Sequence, residues 1–177
     1  MANLRRFVVG LDNNGHSAVL MNGVPNQQEL KDIFWHATLW KTRETPVDNS
    51  ITGDRSLDGG AAQSPFPGGM LVRSVEIWPD PDPKTAQQAY AEMNEMVGHT
   101  PEIGDQDRQR HPSMHHTDTL DILIVIRGEV YLLLDEDEIL LKPTDTAIIQ
   151  GITHGWSNRS DEPCLIVGAM IDAIPRQ

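Results

Sequence analysis

Apolar and polar positions alternate along much of this chain, and the alternation is densest over residues 112–174. There Thr119–Ile126 and Glu129–Leu134 flank Arg127-Gly128. After the acidic turn Asp135–Glu138 come Ile139–Lys142, Thr146–Gln150, Thr153–Asn158 and Cys164–Ala173. Short strands with turn signals every ~8–12 residues predict an all-β sandwich or barrel. A double-sheet jelly roll accommodates this length and strand density. Met70–Trp78 predicts a further strand, stopped by Pro79-Asp80-Pro81-Asp82-Pro83, whose alternate prolines exclude helix and interior strand.

Helical spacing is clear only in Lys84–Val97, where Ala86, Ala89, Tyr90, Met93, Met96 and Val97 recur every three or four positions and Gly98 supplies a stop. It predicts one helix packed on the barrel flank. Before residue 70, Arg6–Val9 and Ser17–Met21 read as short strands around the polar turn Asp12–Gly15. Ala37–Thr42 reads as a third strand, and Asp48–Gly69 as a loop. The chain thus divides into an extension, 1–69, that packs on the barrel or on a partner subunit, and a barrel, 70–177.

Charge narrows the partners. The formal net charge is −12, with 26 acidic against 14 basic residues. Such a surface repels phosphate backbones and anionic lipid, so neither nucleic acid nor membrane is an expected partner. No apolar run approaches the ~18–20 residues needed to span a bilayer. Residues 1–10 hold too little apolar sequence for a secretory signal. The lone cysteine, Cys164, permits no internal disulfide and reads as an inert buried thiol. Together these predict a cytoplasmic protein.

The chemistry concentrates in His115–Glu129. In an extended segment His115, Thr117, Thr119 and Asp121 share one face, while His116 and Asp118 point to the other. The polar face runs on into Leu123 and Val125, which places imidazole, hydroxyl and carboxylate at one end of an apolar interior. That is the arrangement of a ligand pocket in a barrel mouth. The opposite face carries Ile122, Ile124 and Ile126, so both faces are expected to be covered.

This segment resembles the first motif of the cupin superfamily: two histidines one residue apart, a glutamate three or four residues on, and a glycine seven beyond. His115 matches the first histidine, Asp121 the glutamate and Gly128 the glycine, while Thr117 stands at the second histidine. In the other register His116 is the second histidine and Met114 replaces the first. Gly151-Ile152-Thr153-His154-Gly155-Trp156-Ser157-Asn158 is similar to the second motif, with Ile149 in place of a proline. The upstream Pro143-Thr144-Asp145 has threonine where that turn has glycine. More narrowly, the His-x-Thr-x-Thr-x-Asp pattern is similar to a group of small bacterial cupins, with related domains beside fungal biosynthetic enzymes.

The resemblance implies a cupin jelly-roll barrel with an N-terminal β extension. It also implies a divalent metal (Fe, Zn, Mn or Ni) held by His115, Asp121 and His154, with Thr117, His116 or water as a further ligand. Trp156, Leu123, Val125 and Asn158 are candidate pocket residues, with Trp156 either stacking on substrate or belonging to the core. Arg73 shares a strand face with Leu71, Val75 and Ile77, where a cation either pairs with a buried carboxylate or meets an anionic ligand. If a general base is needed, the candidates are Asp121 without metal, or His116. His16, His36 and His99 have no partners at useful spacing, and His111 belongs to the rim.

Two functions follow. One is a metal-dependent small-molecule enzyme acting on an organic acid or an aromatic or carbonyl intermediate, as a lyase or decarboxylase, an isomerase or a dioxygenase. The other is a metal-free binding module, a carrier or sensor. A small organic ligand and a homodimer are expected in both.

Overall fold

The computed structural model describes residues 4–30, 33–59, 64–96 and 110–175. Its strands are β1 (Arg6–Leu11), β2 (Ser17–Gly23), β3 (Asn26–Leu30), β4 (Phe34–Thr42), β5 (Met70–Ile77), β6 (His115–His116), β7 (Leu120–Arg127), β8 (Val130–Leu133), β9 (Glu138–Leu141), β10 (Thr146–Gln150), β11 (Thr153–Ser157) and β12 (Cys164–Ile171). A helix, α1 (Pro83–Met96), follows the proline run, and the stop predicted at Gly98 lies outside the described residues. No described helix is long and apolar enough to cross a membrane.

Two antiparallel sheets form a jelly roll. The larger has the order β10-β7-β12-β5-β4-β3 and the smaller β6-β11-β8-β9, while β1 and β2 make a separate hairpin. Ile77, Val125 and Ile166 of the large sheet pack against Val130, Leu132 and Leu141 of the small one, so the core lies between the layers. Alternation puts these residues inward, and burial of an apolar side chain contributes about 1.5–3 kcal/mol. Gly128, with φ of 73°, turns the chain from β7 into β8. A Cβ there would lie 2.6 Å from the Pro163 carbonyl oxygen, which explains why the motif needs glycine at this point.

The extension is part of the sheet rather than a cover for it. β4 pairs with β5 from Phe34↔Ile77 to Thr42↔Met70, so the boundary drawn at 69/70 falls inside one continuous sheet. β3, with the sequence Asn-Gln-Gln-Glu-Leu, has no apolar alternation to announce it and is extended by its pairing with β4. The hairpin is tied down by Arg6, which donates to both oxygens of Asp54 (2.7 and 2.5 Å) and to the Leu39 carbonyl (3.0 Å). Among the described residues the outward face of β7 is exposed at Ile122, Ile124 and Ile126, with Ile148 of β10 beside them.

Candidate functional site

A pocket opens between the two sheets, and the first motif crosses from one sheet to the other to build it. β6 pairs with β11 in the small sheet, whereas β7 pairs with β10 and β12 in the large one, so the chain changes sheet over residues 117–119. Burial still alternates as an extended segment requires. His115, Thr117, Thr119 and Asp121 are buried, while His116 and Asp118 are exposed. His115, Asp121 and His154 all line the pocket.

The two histidines are direct cross-strand neighbours, His154 opposite His115, with ring centroids 4.5 Å apart. His115 Nδ1 lies 2.8 Å from the Ser113 carbonyl oxygen and His154 Nδ1 lies 3.2 Å from that of Ile152. A carbonyl only accepts, so Nδ1 carries the hydrogen in both rings and Nε2 is the basic atom of the neutral imidazole. Burial pushes His154 down to about 4. Its bond to Ile152 opposes this, and the charges of Arg73 and His116 assist.

Asp121 enters from the large sheet. It is buried, and its Oδ1 has no hydrogen-bond partner. Burial raises its pKa above the usual carboxylate range, opposed by the Thr119 hydroxyl and by Arg73. Arg73, half-buried on β5, lines the same pocket.

The donor types suit a divalent ion, since an imidazole with its Nδ1–H held by a carbonyl is the usual form of a metal-ligating histidine. Their placement does not assemble a full set. Among the described residues no three His, Cys, Asp or Glu side chains are grouped to hold a metal. The topology gives the reason: the imidazole pair rides on one sheet and the carboxylate on the other, with the Arg73 charge acting on it. Neither proposed extra ligand completes the set. Thr117 is buried with its hydroxyl unpartnered, but it does not line the pocket. His116 is exposed at the rim, 3.2 Å from Asp118 Oδ1 and 3.3 Å from Thr153 Oγ1.

Trp156 and Leu123 line the pocket, the indole edge-on to His154 with centroids 5.9 Å apart. Two expected pocket residues are elsewhere. Val125 is in the hydrophobic core beneath the pocket. Asn158 is a fully buried structural amide: its Nδ2 donates to the Ile77 and Glu162 carbonyls (2.9 Å each), and its Oδ1 accepts from Ser160. Its side chain is consumed by these bonds, so the motif asparagine fastens a turn instead of touching a ligand.

Other lining residues escaped the sequence reading. Ser113 holds the floor, its hydroxyl donating to the Trp156 carbonyl (2.7 Å) and accepting from the Trp156 amide (2.8 Å). No pattern marks a lone serine for that role. Tyr90, read only as a helix packing position, reaches the pocket from α1, and burial raises its pKa. Phe34 and Ile33 come from the extension, and Gly168 from β12. His111, at the edge, meets Ser113 Oγ at 2.7 Å and Asp80 at 3.6 Å.

Residues 105–170 match the family model described as Cupin domain, which supports membership of the cupin superfamily. Two curated proteins of Diaporthe leptostromiformis, Phomopsin biosynthesis cluster proteins C' and D, are each 44% identical to it over 48 residues, 27% of this chain. That stretch spans only 25% of their own length. Among solved structures, the polyketide cyclase RemF from Streptomyces resistomycificus is similar with a TM-score of 0.44 and 14% identity, covering 99% of this chain and 82% of RemF. KdgF from Halomonas sp. has a TM-score of 0.45 and 11% identity, covering 86% and 87%.

Proposed function

We propose that this domain is a small-molecule enzyme of the cupin type, acting on an organic acid or an aromatic or carbonyl intermediate by lyase, isomerase or dioxygenase chemistry. One observation carries the reading. Apolar walls from both sheets end at a paired imidazole with defined tautomers and at a buried carboxylate with an open acceptor atom. The apolar body of a substrate would lie against Leu123, Ile166 and Trp156. Asp121, held above the ordinary carboxylate range, is the candidate general acid or base. His154, held neutral, accepts a hydrogen bond or a proton at Nε2.

A divalent ion in this reading would sit on His115 and His154 and supply Lewis-acid polarisation of a substrate oxygen. Asp121 is not grouped with them. That same separation favours a second reading, a metal-free module that holds the ligand without turnover. Elemental analysis of protein purified without a chelating column, followed by a thermal-shift screen of organic acids, separates the two. Stoichiometric iron, zinc, manganese or nickel, lost in His115→Ala and His154→Ala, supports the enzyme. Metal-free protein stabilised by an organic acid supports the module, and protein with neither metal nor ligand refutes both. Cytoplasmic residence and a homodimer complete the proposal.

A further inference from the structure

Arg73 stands apart from the other arginines of the described chain. Arg6, Arg43, Arg55, Arg110, Arg127 and Arg159 each have a carboxylate oxygen within 4.0 Å. Of the two that do not, Arg5 is exposed and solvated. Arg73 is half-buried and faces the pocket. Asp121 is the carboxylate that acts on it, and it is not within ion-pair distance. In a chain with 26 acidic residues, an inward cation left unpaired is not explained by a shortage of partners. Leaving one in an apolar wall costs stability unless something else supplies the anion.

Its neighbours on the sheet do not supply that anion. The ladder places Thr38 of β4 on one side of Arg73 and Gly168 of β12 on the other. A Cβ at Gly168 would lie 2.2 Å from Leu123 Cδ2, so the missing side chain lets Leu123 lie across β12. On the β12 side the wall beside the guanidinium is therefore hydrocarbon. Val75 and Ile77 continue it along β5. Asp121 lies across β12 and one row away, since it pairs with Met170 and Met170 pairs with Leu71.

We propose that the pocket takes an apolar monocarboxylate, its carboxylate seated on Arg73 and its body running over Leu123 toward Trp156. A planar guanidinium matches a carboxylate with two parallel hydrogen bonds. A second carboxylate on the ligand would have to lie against Leu123 or Trp156, which sets the preference for one. The inference rests on the pocket being a small-molecule site and adds the class of ligand.

The test pairs benzoate, phenylacetate and 3-phenylpropionate each with its neutral amide, and measures binding by calorimetry and by Trp fluorescence. In the wild type at least one acid binds about ten-fold or more tightly than its amide. Arg73→Met brings that ratio to about one, and Arg73→Lys retains part of it. Arg73→Gln, which keeps polarity and length, serves if the methionine variant does not fold. No acid preferred over its amide in the wild type, or a preference that survives removal of the guanidinium, overturns the proposal. Acid preference in a wild-type protein that holds no metal and turns nothing over would unseat the enzyme reading and leave the anchor standing. The reverse pattern removes the anchor alone.

Discussion

His36 lies on β4 two residues beyond Phe34 and opposite Val75, both of which line the pocket. It is 3% exposed, its Nδ1 has no hydrogen-bond partner, and the Phe34 ring is 5.4 Å away. Burial pushes its pKa down from 6.5 to about 4, and the charges of Arg73 and Lys41 push the same way. A depressed folded-state value means that the native state resists protonation which the unfolded chain accepts. The stabilisation is full above 6.5 and is lost as pH falls toward 4, amounting to about 3 kcal/mol at 1.36 kcal/mol per unit. His36→Gln should flatten the decline in stability between pH 7 and 4 by roughly that amount, read by urea denaturation at each pH. His154 titrates in the same window, so a residual slope is expected in the variant, and an unchanged slope would refute the assignment. At this scale the sequence named His115, Asp121 and His154, and all three line one pocket without forming a ligand group. It did not disclose Ser113 or Phe34, whose roles arise from where distant strands bring them. It misplaced Asn158, because a motif residue that binds backbone looks the same in one dimension as one that binds a ligand.

Between β9 and β10 the chain turns at Pro143-Thr144-Asp145, and Thr144 has φ of 79°. The turn is pinned by Asp145 N–H to the Lys142 carbonyl (2.9 Å), Thr144 N–H to the Val125 carbonyl (2.9 Å) and Lys142 N–H to Asp145 Oδ2 (2.8 Å). A β-branched residue held left-handed costs about 1–2 kcal/mol, partly offset in any glycine replacement by a larger entropy loss on folding. Thr144→Gly should raise stability by about 1 kcal/mol, seen as a higher denaturation midpoint with unchanged slope. A fall in stability would mean that the threonine side chain earns its place by contacts. The sequence marked this position, since threonine there breaks the family's turn pattern. It also gave most strands to within a residue or two, because an amphipathic strand advertises itself by alternation. β3 was hidden, being a polar strand made by its neighbour. The change of sheet at 117–119 was hidden too, because alternate burial continues across it.

At the scale of the molecule, the described residues leave an apolar face exposed. Ile122, Ile124 and Ile126 are 36%, 40% and 51% exposed, and Ile148 on the edge strand β10 is 56% exposed. Contiguous exposed apolar patches mark interaction surfaces. This is where the expected homodimer would form, because the N-terminal strands extend the sheet at its far end and do not cover it. Sedimentation velocity should give a dimer for the wild type and a monomer for Ile124→Lys with its fold intact. A wild-type monomer, or a dimer indifferent to the lysine, places the contact elsewhere. The pocket has its own consequence at this scale. His115 and His154 belong to one wall of the roll, and Arg73 and Asp121 to the other. Any guest that grips both pairs at once is a clasp across the seam: it joins the two walls at the rim, where the strands themselves do not, and turns an open mouth into a braced one.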